Sequence, residues 1–208
     1  MEYSGTPFCS ATIISETFVV TASHCLERFN SKEVSIRSGT SKRASGGDLL
    51  KIKRFARNPN FSASQLDYDV AVVELEEPMV FNDFRRAVRL ADGEPTVGQN
   101  LTVSGWGKTT EKGSVAGILQ STSVRVIDRE LCREYYKNKV NITERMFCAG
   151  ADGQDSCGGD SGAPATAGGK LVGIVSWGFG CARATYPGVY ANLLNREIRD
   201  FIREVSGV

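Results

Sequence analysis

Three side chains of this 208-residue chain could together support nucleophilic catalysis: a histidine, an aspartate and a serine that lie far apart in the sequence. His24 is the only histidine, so it is the only side chain whose ordinary pKa suits general-base chemistry near neutral pH. Asp69 directly precedes four apolar residues, where a carboxylate either caps a strand or is buried and hydrogen-bonded. Asp67, two residues earlier, is a rival for the same role. Taken alone, each of these residues is more often structural than catalytic.

The serine lies in a glycine-rich segment that cannot form a regular strand. Residues 153–164 read Gly-Gln-Asp-Ser-Cys-Gly-Gly-Asp-Ser-Gly-Ala-Pro, with Gly158, Gly159 and Gly162 around Ser161. A tight loop of this kind can turn backbone N–H groups toward one point beside a hydroxyl, which is the geometry of a nucleophile with an oxyanion hole. A surface turn with an idle serine explains the isolated Gly-Asp-Ser-Gly pattern equally well.

The order of the three residues along the chain narrows the class of enzyme. His24, Asp69 and Ser161 follow the order of the chymotrypsin-like serine proteases, whereas subtilisins run Asp, His, Ser and α/β-hydrolases run Ser, Asp, His. The Gly-x-Ser-x-Gly motif of the α/β-hydrolases also fails, because Ala163 stands where its second glycine would be.

The composition argues against several other classes of protein. Hydrophobic residues make up 41% and charged residues 24% of the chain, as in an ordinary soluble globular protein. The 25 Lys and Arg residues nearly balance the 24 Asp and Glu residues, and this net charge of +1 argues against a nucleic-acid partner. The apolar runs are far shorter than the roughly 18 residues that span a bilayer, so we expect no association with a membrane.

The cysteines indicate structural disulfides. They are Cys9, Cys25, Cys132, Cys148, Cys157 and Cys181, an even number without the Cys-x-x-Cys pairs of zinc ribbons and redox centres. With one histidine and no clustered thiols, disulfides are the better explanation, although the cysteine positions alone leave the pairing open. Disulfides place the protein in an oxidising compartment, and we expect an extracellular, secreted protein.

Short strands account for most of the chain, which predicts an all-β fold. Segments rich in Val, Ile and Thr alternate with clusters of Gly, Pro, Asn and Asp. The predicted strands are 10–15, 17–22, 34–37, 50–55, 70–75, 101–104, 121–127, 171–176 and 189–192. Only the C-terminus has a helical pattern, in which Leu194, Ile198, Phe201, Ile202 and Val205 recur every three or four residues. The polar stretch 91–99 separates two expected units, 1–91 and 92–208.

Six motifs spread over the chain resemble the trypsin branch of the chymotrypsin-like serine proteases. They are Thr-Ala-Ser-His-Cys (21–25), Asp-Tyr-Asp-Val-Ala-Val-Val (67–73), Ser-Gly-Trp-Gly (104–107), Gly-Asp-Ser-Gly-Ala-Pro (159–164), Val-Ser-Trp-Gly-Phe-Gly-Cys (175–181) and Tyr-Pro-Gly-Val-Tyr (186–190). The resemblance implies two six-stranded antiparallel β-barrels at right angles, a C-terminal α-helix and a catalytic cleft between the barrels. It also implies the disulfides Cys9–Cys25, Cys132–Cys148 and Cys157–Cys181.

The resemblance implies a role for each catalytic candidate. Ser161 would be the nucleophile, His24 the general base and later the acid, and Asp69 the group that fixes the imidazole tautomer. The N–H groups of Gly159 and Ser161 would form the oxyanion hole. Ser176 matches the serine that supports the buried aspartate.

The resemblance also implies a specificity pocket. Asp155 stands where trypsin-like members carry the acid at the base of the pocket, which would favour Arg or Lys over an apolar side chain. The other residues expected to contact substrate are Ser156, Ser176, Trp177, Gly178 and Gly188. Trp177 and Leu66 match residues that line neighbouring subsites, but they could equally belong to the core. Residues 176–178 would pair with the substrate backbone as an added strand.

The chain departs from the family pattern in two places that affect function. Residues 40–43 are Thr-Ser-Lys-Arg where calcium-binding trypsins present carboxylates, so we expect no metal ion and no cofactor. Active members begin with an Ile-Val terminus whose ammonium pairs with the acid before the nucleophile, here Asp160. This sequence begins Met-Glu-Tyr-Ser, with no secretory signal, so we expect the chain as written to fold but to be weakly active.

The sequence therefore predicts a trypsin-like serine endopeptidase that hydrolyses peptide bonds after Arg or Lys through an acyl-enzyme. The alternative is a zymogen-like or weakly active homologue that acts as a binding protein. The expected partners are protein or peptide substrates and protein protease inhibitors, and we expect a monomer. Asn-x-Ser/Thr sequons at Asn60, Asn100 and Asn141 leave N-glycosylation open.

Overall fold

The computed structural model describes residues 1–208. It contains two antiparallel β-sheets, each built from one half of the chain. The first sheet has the strand order β2-β1-β5-β6-β7-β4-β3. Its strands are Glu2–Tyr3 (β1), Thr6–Pro7 (β2), Thr12–Ile13 (β3), Phe18–Thr21 (β4), Val34–Ser38 (β5), Asp48–Arg57 (β6) and Ala71–Leu75 (β7). A 3₁₀ turn, Ser23–Leu26, follows β4.

The second sheet closes into a six-stranded barrel with the order β10-β13-β12-β11-β8-β9. Its strands are Asn100–Gly105 (β8), Gln120–Ile127 (β9), Met146–Gly150 (β10), Pro164–Ala167 (β11), Lys170–Trp177 (β12) and Gly188–Asn192 (β13). Two helices, Arg129–Tyr135 (α1) and Arg196–Ser206 (α2), complete the fold. Neither is long and apolar enough to cross a membrane.

The predicted fold class is confirmed, with two barrel-like sheets and a C-terminal helix. The first sheet gains an extra short strand, because the first seven residues form the small β1–β2 hairpin. The pattern missed β10 and β11, whose sequences Met-Phe-Cys-Ala-Gly and Pro-Ala-Thr-Ala have little β-branched character. Barrel closure supplies both neighbours of each strand and overrides this weak local preference.

Helix α1 contradicts the expectation that only the C-terminus is helical. It has seven residues, too few for a clear periodic signal. The Asp128 carboxylate caps it by accepting a hydrogen bond from the N–H of Leu131. The disulfide of Cys132 then ties the helix to β10 through Cys148. All three disulfides implied by the resemblance are confirmed: Cys9–Cys25, Cys132–Cys148 and Cys157–Cys181.

Helix α2 packs where the two halves meet. It starts at an Asn195 cap and ends at Gly207, which takes a left-handed conformation with φ of 76°. Its fully buried Ile198 and Ile202 pack with side chains from both sheets, including Val72 of β7 and Ile174 of β12. This shared apolar cluster fixes the two halves against each other and so determines the cleft between them.

Candidate active site

His24 and Asp69 meet because the strands next to them are paired. His24 lies in the 3₁₀ turn after β4, and Asp69 lies just before β7. The two strands are antiparallel, with Thr21 opposite Ala71, so the end of one meets the start of the other. His24 Nδ1 lies 2.7 Å from Asp69 Oδ2, and the backbone N–H of His24 donates to Asp69 Oδ1 at 2.9 Å. One carboxylate therefore holds both the imidazole and the backbone of His24.

Asp69 is almost fully buried, at 1% exposed, and receives a third donor from the second half. The hydroxyl of Ser176 donates to Asp69 Oδ2 at 2.5 Å. Ser176 can reach across because it lies at a bulge in β12, between Val175 and Trp177, where the register with β13 shifts. These three donors satisfy a charge that would otherwise be costly to bury.

The environment of His24 raises its pKa. Burial of the ring by itself lowers the pKa, but the hydrogen bond and the negative charge of Asp69 outweigh this effect. A carboxylate on Nδ1 also favours the tautomer that leaves Nε2 free to accept a proton. The imidazole is thus prepared to act as a base near neutral pH.

Asp67, the rival acid, points to a different partner. Its carboxylate accepts from the Arg145 guanidinium at 2.6 Å and from the Thr143 hydroxyl at 2.8 Å, both in the second half of the chain. The hydrogen bonds from Arg145 and Thr143 and the Arg145 charge outweigh burial and lower the pKa of Asp67. The structure therefore places Asp69, and not Asp67, beside the imidazole.

The Ser161 loop is tied by its backbone to the half that carries His24. The N–H of Ser10 donates to the carbonyl of Ser161 at 2.7 Å, and Ser10 follows Cys9, which is bonded to Cys25 beside the histidine. Gly162 makes this approach possible, because a Cβ there would collide with the Ser10 carbonyl. The Ser161 hydroxyl makes no hydrogen bond in this structure.

The same loop holds two N–H groups without an internal partner. The N–H groups of Gly159 and Ser161 make no hydrogen bond, although their neighbours Asp160, Gly162 and Ala163 all donate to carbonyls. Gly159 has a φ of 102°, which favours glycine. Two free N–H groups beside a serine are what an oxyanion hole requires.

The carboxylate of Asp160 is buried and held by the backbone. It accepts from the N–H of Gly107 at 2.8 Å and from the N–H of Cys157 at 3.1 Å. Burial raises its pKa, and these two N–H groups counteract the rise in part. The N-terminal ammonium of Met1 donates instead to the carbonyl of Cys9 at 2.7 Å.

Asp155 lies two residues before Cys157. The disulfide from Cys157 to Cys181 ties this loop to the segment that precedes β13. The Asp155 carboxylate accepts from the N–H of Ser156 at 2.8 Å and from the N–H of Ala182 at 3.0 Å. A Cβ on Gly188 would lie 2.5 Å from Asp155 Oδ1, so glycine is required there to make room for the acid. Burial raises the pKa of Asp155 to about 6, against the lowering effect of its hydrogen bonds.

The other residues expected to contact substrate lie along β12 and near Asp155. The Ser156 hydroxyl is buried and accepts from the Tyr190 hydroxyl at 3.3 Å. Trp177 packs edge-on against Tyr136, with ring centroids 5.0 Å apart. The backbone N–H and C=O of Gly178, just beyond the end of β12, make no hydrogen bond.

The structure adds two groups of residues that sequence reasoning missed. One is the pair Thr143 and Arg145, which holds Asp67 across the two halves. The other is Glu111, which binds Arg183 and the N–H of Cys181, the two residues on either side of Ala182. Neither group has a local sequence signal, because each contact joins segments about 70 residues or more apart.

Two antiparallel barrel-like halves, one carrying a His–Asp pair and the other a Gly-Asp-Ser-Gly loop, define the class of two-barrel serine proteases. The trypsin family model matches residues 1–202, and the chain belongs to this family. It is 40% identical to trypsin 5G1 of Aedes aegypti over 205 residues, which cover 97% of this chain and 76% of the relative. It is 45% identical to a trypsin of Simulium vittatum over 186 residues, or 88% of this chain and 75% of the relative. Trypsin alpha of Drosophila melanogaster is 36% identical, covering 93% and 76%.

The raised pKa of His24 generates a direct test. In Asp69→Asn, burial still lowers the pKa of His24 while the opposing charge is gone, so we expect the pKa to fall below its ordinary value of about 6.5. NMR titration of the single imidazole measures this shift. Asp67→Asn is the matched control and should leave the pKa of His24 nearly unchanged. A His24 pKa that stays raised in Asp69→Asn would contradict the account.

Proposed function

We propose that this protein is an endopeptidase that cleaves peptide bonds after Arg or Lys. The observation that carries the proposal is the enclosed His24–Asp69 pair, whose carboxylate draws donors from both halves of the molecule. Such a pair serves to orient a base for a nearby hydroxyl, and Ser161 is the hydroxyl in the glycine-rich loop tied to the same region.

In the proposed mechanism, Ser161 Oγ attacks the substrate carbonyl carbon while its proton passes to His24 Nε2. The negative charge that develops on the carbonyl oxygen is stabilised by the N–H groups of Gly159 and Ser161. The imidazolium, stabilised by Asp69, then gives its proton to the leaving amine as the C–N bond breaks. Water then attacks the acyl-enzyme while His24 takes its proton. The ester C–O bond breaks and His24 returns the proton to Ser161 Oγ, which releases the acid product and restores the serine.

Substrate selection is proposed to rest on Asp155 and on the unpaired backbone of the residue just beyond β12. The unpaired N–H and C=O of Gly178 suit a substrate chain that adds to β12 as an extra strand. A half-buried carboxylate beside Gly188 suits a long cationic side chain, because each charge then has a partner. Family membership and the three disulfides are typical of secreted proteins, and we propose that the enzyme acts outside the cell on proteins or peptides.

Asp69→Asn should reduce kcat by about 10⁴, which is the loss that the same substitution causes in this family. Asp67→Asn should leave kcat within a few-fold and lower stability instead, because it weakens the bond to Arg145. Initial rates on a chromogenic Arg ester and amide, with Ser161→Ala as background, measure the changes in kcat, and thermal unfolding measures the change in stability. The assignment of Asp69 as the catalytic acid is wrong if Asp67→Asn, and not Asp69→Asn, causes the large loss of kcat.

Asp155→Ser should reduce kcat/KM after Arg by about 10²- to 10⁴-fold, since a bound cation would lose its buried partner. Cleavage after apolar residues should rise only weakly, because the pocket retains its shape. Asp152→Ser, an exposed change in the same loop, is the matched control. In the unaltered enzyme, the preference for Arg over apolar residues should also weaken as the pH falls through about 6, where Asp155 becomes neutral. An unchanged Arg preference in Asp155→Ser would refute Asp155 as the selector.

We also propose that Asp160 responds to an ammonium group. Its carboxylate is buried with only two backbone donors, so a cation would stabilise it and with it the loop that carries Gly159. An Ile-Val dipeptide at millimolar concentration should therefore raise turnover, by up to the factor of about 10² to 10³ that one oxyanion donor provides.

Acetyl-Ile-Val, which lacks the ammonium, should have no effect, and Asp160→Asn should not respond to either peptide. Full trypsin-like activity in the unaltered chain, unaffected by the dipeptide, would show that Asp160 does not need this partner.

A further inference from the structure

A carboxylate distant in the sequence holds the segment that faces Asp155. Glu111 Oε2 accepts from the N–H of Cys181 at 3.2 Å and from Arg183 Nε at 2.9 Å, and Glu111 Oε1 accepts from Arg183 Nη2 at 2.5 Å. Between these two anchor points, the N–H of Ala182 donates to Asp155 Oδ2 at 3.0 Å. Three consecutive residues are thus held, and the middle one contacts the acid of the proposed pocket.

The local backbone is built to allow this arrangement. Gly180 has a φ of 80°, and a Cβ there would collide with Arg183 and lie 2.6 Å from Glu111 Oε2. Glycine therefore lets the guanidinium and the carboxylate close over the chain. On the other side, the disulfide from Cys181 to Cys157 ties the same segment to the Asp155 loop.

We propose that Glu111 is a positioning residue of the specificity pocket, which holds residues 181–183 so that the N–H of Ala182 stays on the Asp155 carboxylate. This proposal rests on the proposed function, since it assigns Glu111 a share in the affinity for Arg and Lys. Glu111 contacts neither the catalytic residues nor Asp155 itself. Its effect passes through the backbone of the segment.

The charges around the two carboxylates support this assignment. The Arg183 bonds lower the pKa of Glu111 to about 2, so Glu111 stays charged throughout the pH range of an assay. Asp155 faces the N–H groups of Ala182, Ser156 and Gly188, each of which lowers its pKa. The neighbouring phenols of Tyr136 and Tyr190 have raised pKa values and stay neutral.

These contacts determine the direction in which the pKa of Asp155 should change when Glu111 is removed. Without Glu111 the N–H of Ala182 would be held less well, so the pKa of Asp155 should rise further above its ordinary value. Cation binding should then fail at a higher pH than in the unaltered protein. Glu111 and Arg183 are 36% and 50% exposed, so their pair contributes little to global stability, and the melting temperature should barely change.

The experiment measures binding of p-aminobenzamidine, a fluorescent arginine mimic, from about pH 5 to about pH 8. Glu111→Ala should raise Kd roughly tenfold near neutral pH, the scale of one hydrogen bond to a charged group, and shift the binding midpoint to higher pH. Arg183→Gln should have a smaller effect, because Glu111 can still accept from the N–H of Cys181.

Glu130→Ala is the matched control, since it removes an exposed Glu–Arg pair of the same 2.5 Å distance on α1. It should leave both the affinity and its pH profile unchanged. Hydrogen exchange in residues 179–187 should rise in Glu111→Ala only. The proposal is overturned if Glu111→Ala binds the amidine as the control does, or if exchange in this segment does not change.

Failure of the proposed function would look different. The unaltered protein would then bind no amidine at any pH, whereas exchange in residues 179–187 would still separate Glu111→Ala from Glu130→Ala.

Discussion

The burial of one negative charge, at Asp69, is the constraint on which the rest of the site depends. A carboxylate that is 1% exposed must be surrounded by donors, or the folded state loses several kcal/mol. Two of its three hydrogen bonds come from His24 in the first half, and one comes from Ser176 in the second. The charge is satisfied only when the two halves are docked. The contacts that orient the imidazole therefore also help to hold the two halves together.

Two more acids in the second half of the chain are also stabilised by hydrogen-bond donors. Asp155 and Asp160 are both shielded from water, and both are held by backbone N–H groups of the loops around them. Each acid orders the loop that supplies its donors, at the cost of a raised pKa. Small residues are needed where these carboxylates touch the backbone, as at Gly107 and Gly188. The loops around Asp155 and Asp160 are therefore shaped in part by the need to supply hydrogen-bond donors to these two carboxylates.

Contacts outside the His24–Asp69 pair also hold the two halves together. Asp67 bonds to Arg145, whose guanidinium lies 4.7 Å from the ring centroid of Tyr68, and the Tyr68 hydroxyl donates to Glu197 of α2 at 2.6 Å. This network flanks Asp69 on its N-terminal side and reaches both the second barrel and the C-terminal helix. Together with the apolar cluster around Ile198, it explains why residues from both halves can meet within hydrogen-bonding distance.

The sequence alone determined much of this protein. Alternation of Val and Ile specified β5, a short apolar run specified β7, and the period of Ile198 and Ile202 specified α2. The motifs around His24 and Ser161 identified the candidate catalytic residues. These features could be predicted because they are local, with each signal lying within a few residues. The order His, Asp, Ser also depends on the chain alone.

Only the tertiary structure decided between Asp67 and Asp69, which have nearly the same local sequence. The choice depends on which donors surround each carboxylate, and those donors lie 45 to 107 residues away for Asp69 and 76 to 78 residues away for Asp67. The same holds for β10 and β11, whose weak propensity is overridden by pairing partners in the barrel, and for Glu111, which meets Arg183 from 72 residues away. Buried charges and barrel closure are satisfied by long-range partners, and a local pattern contains no information about them.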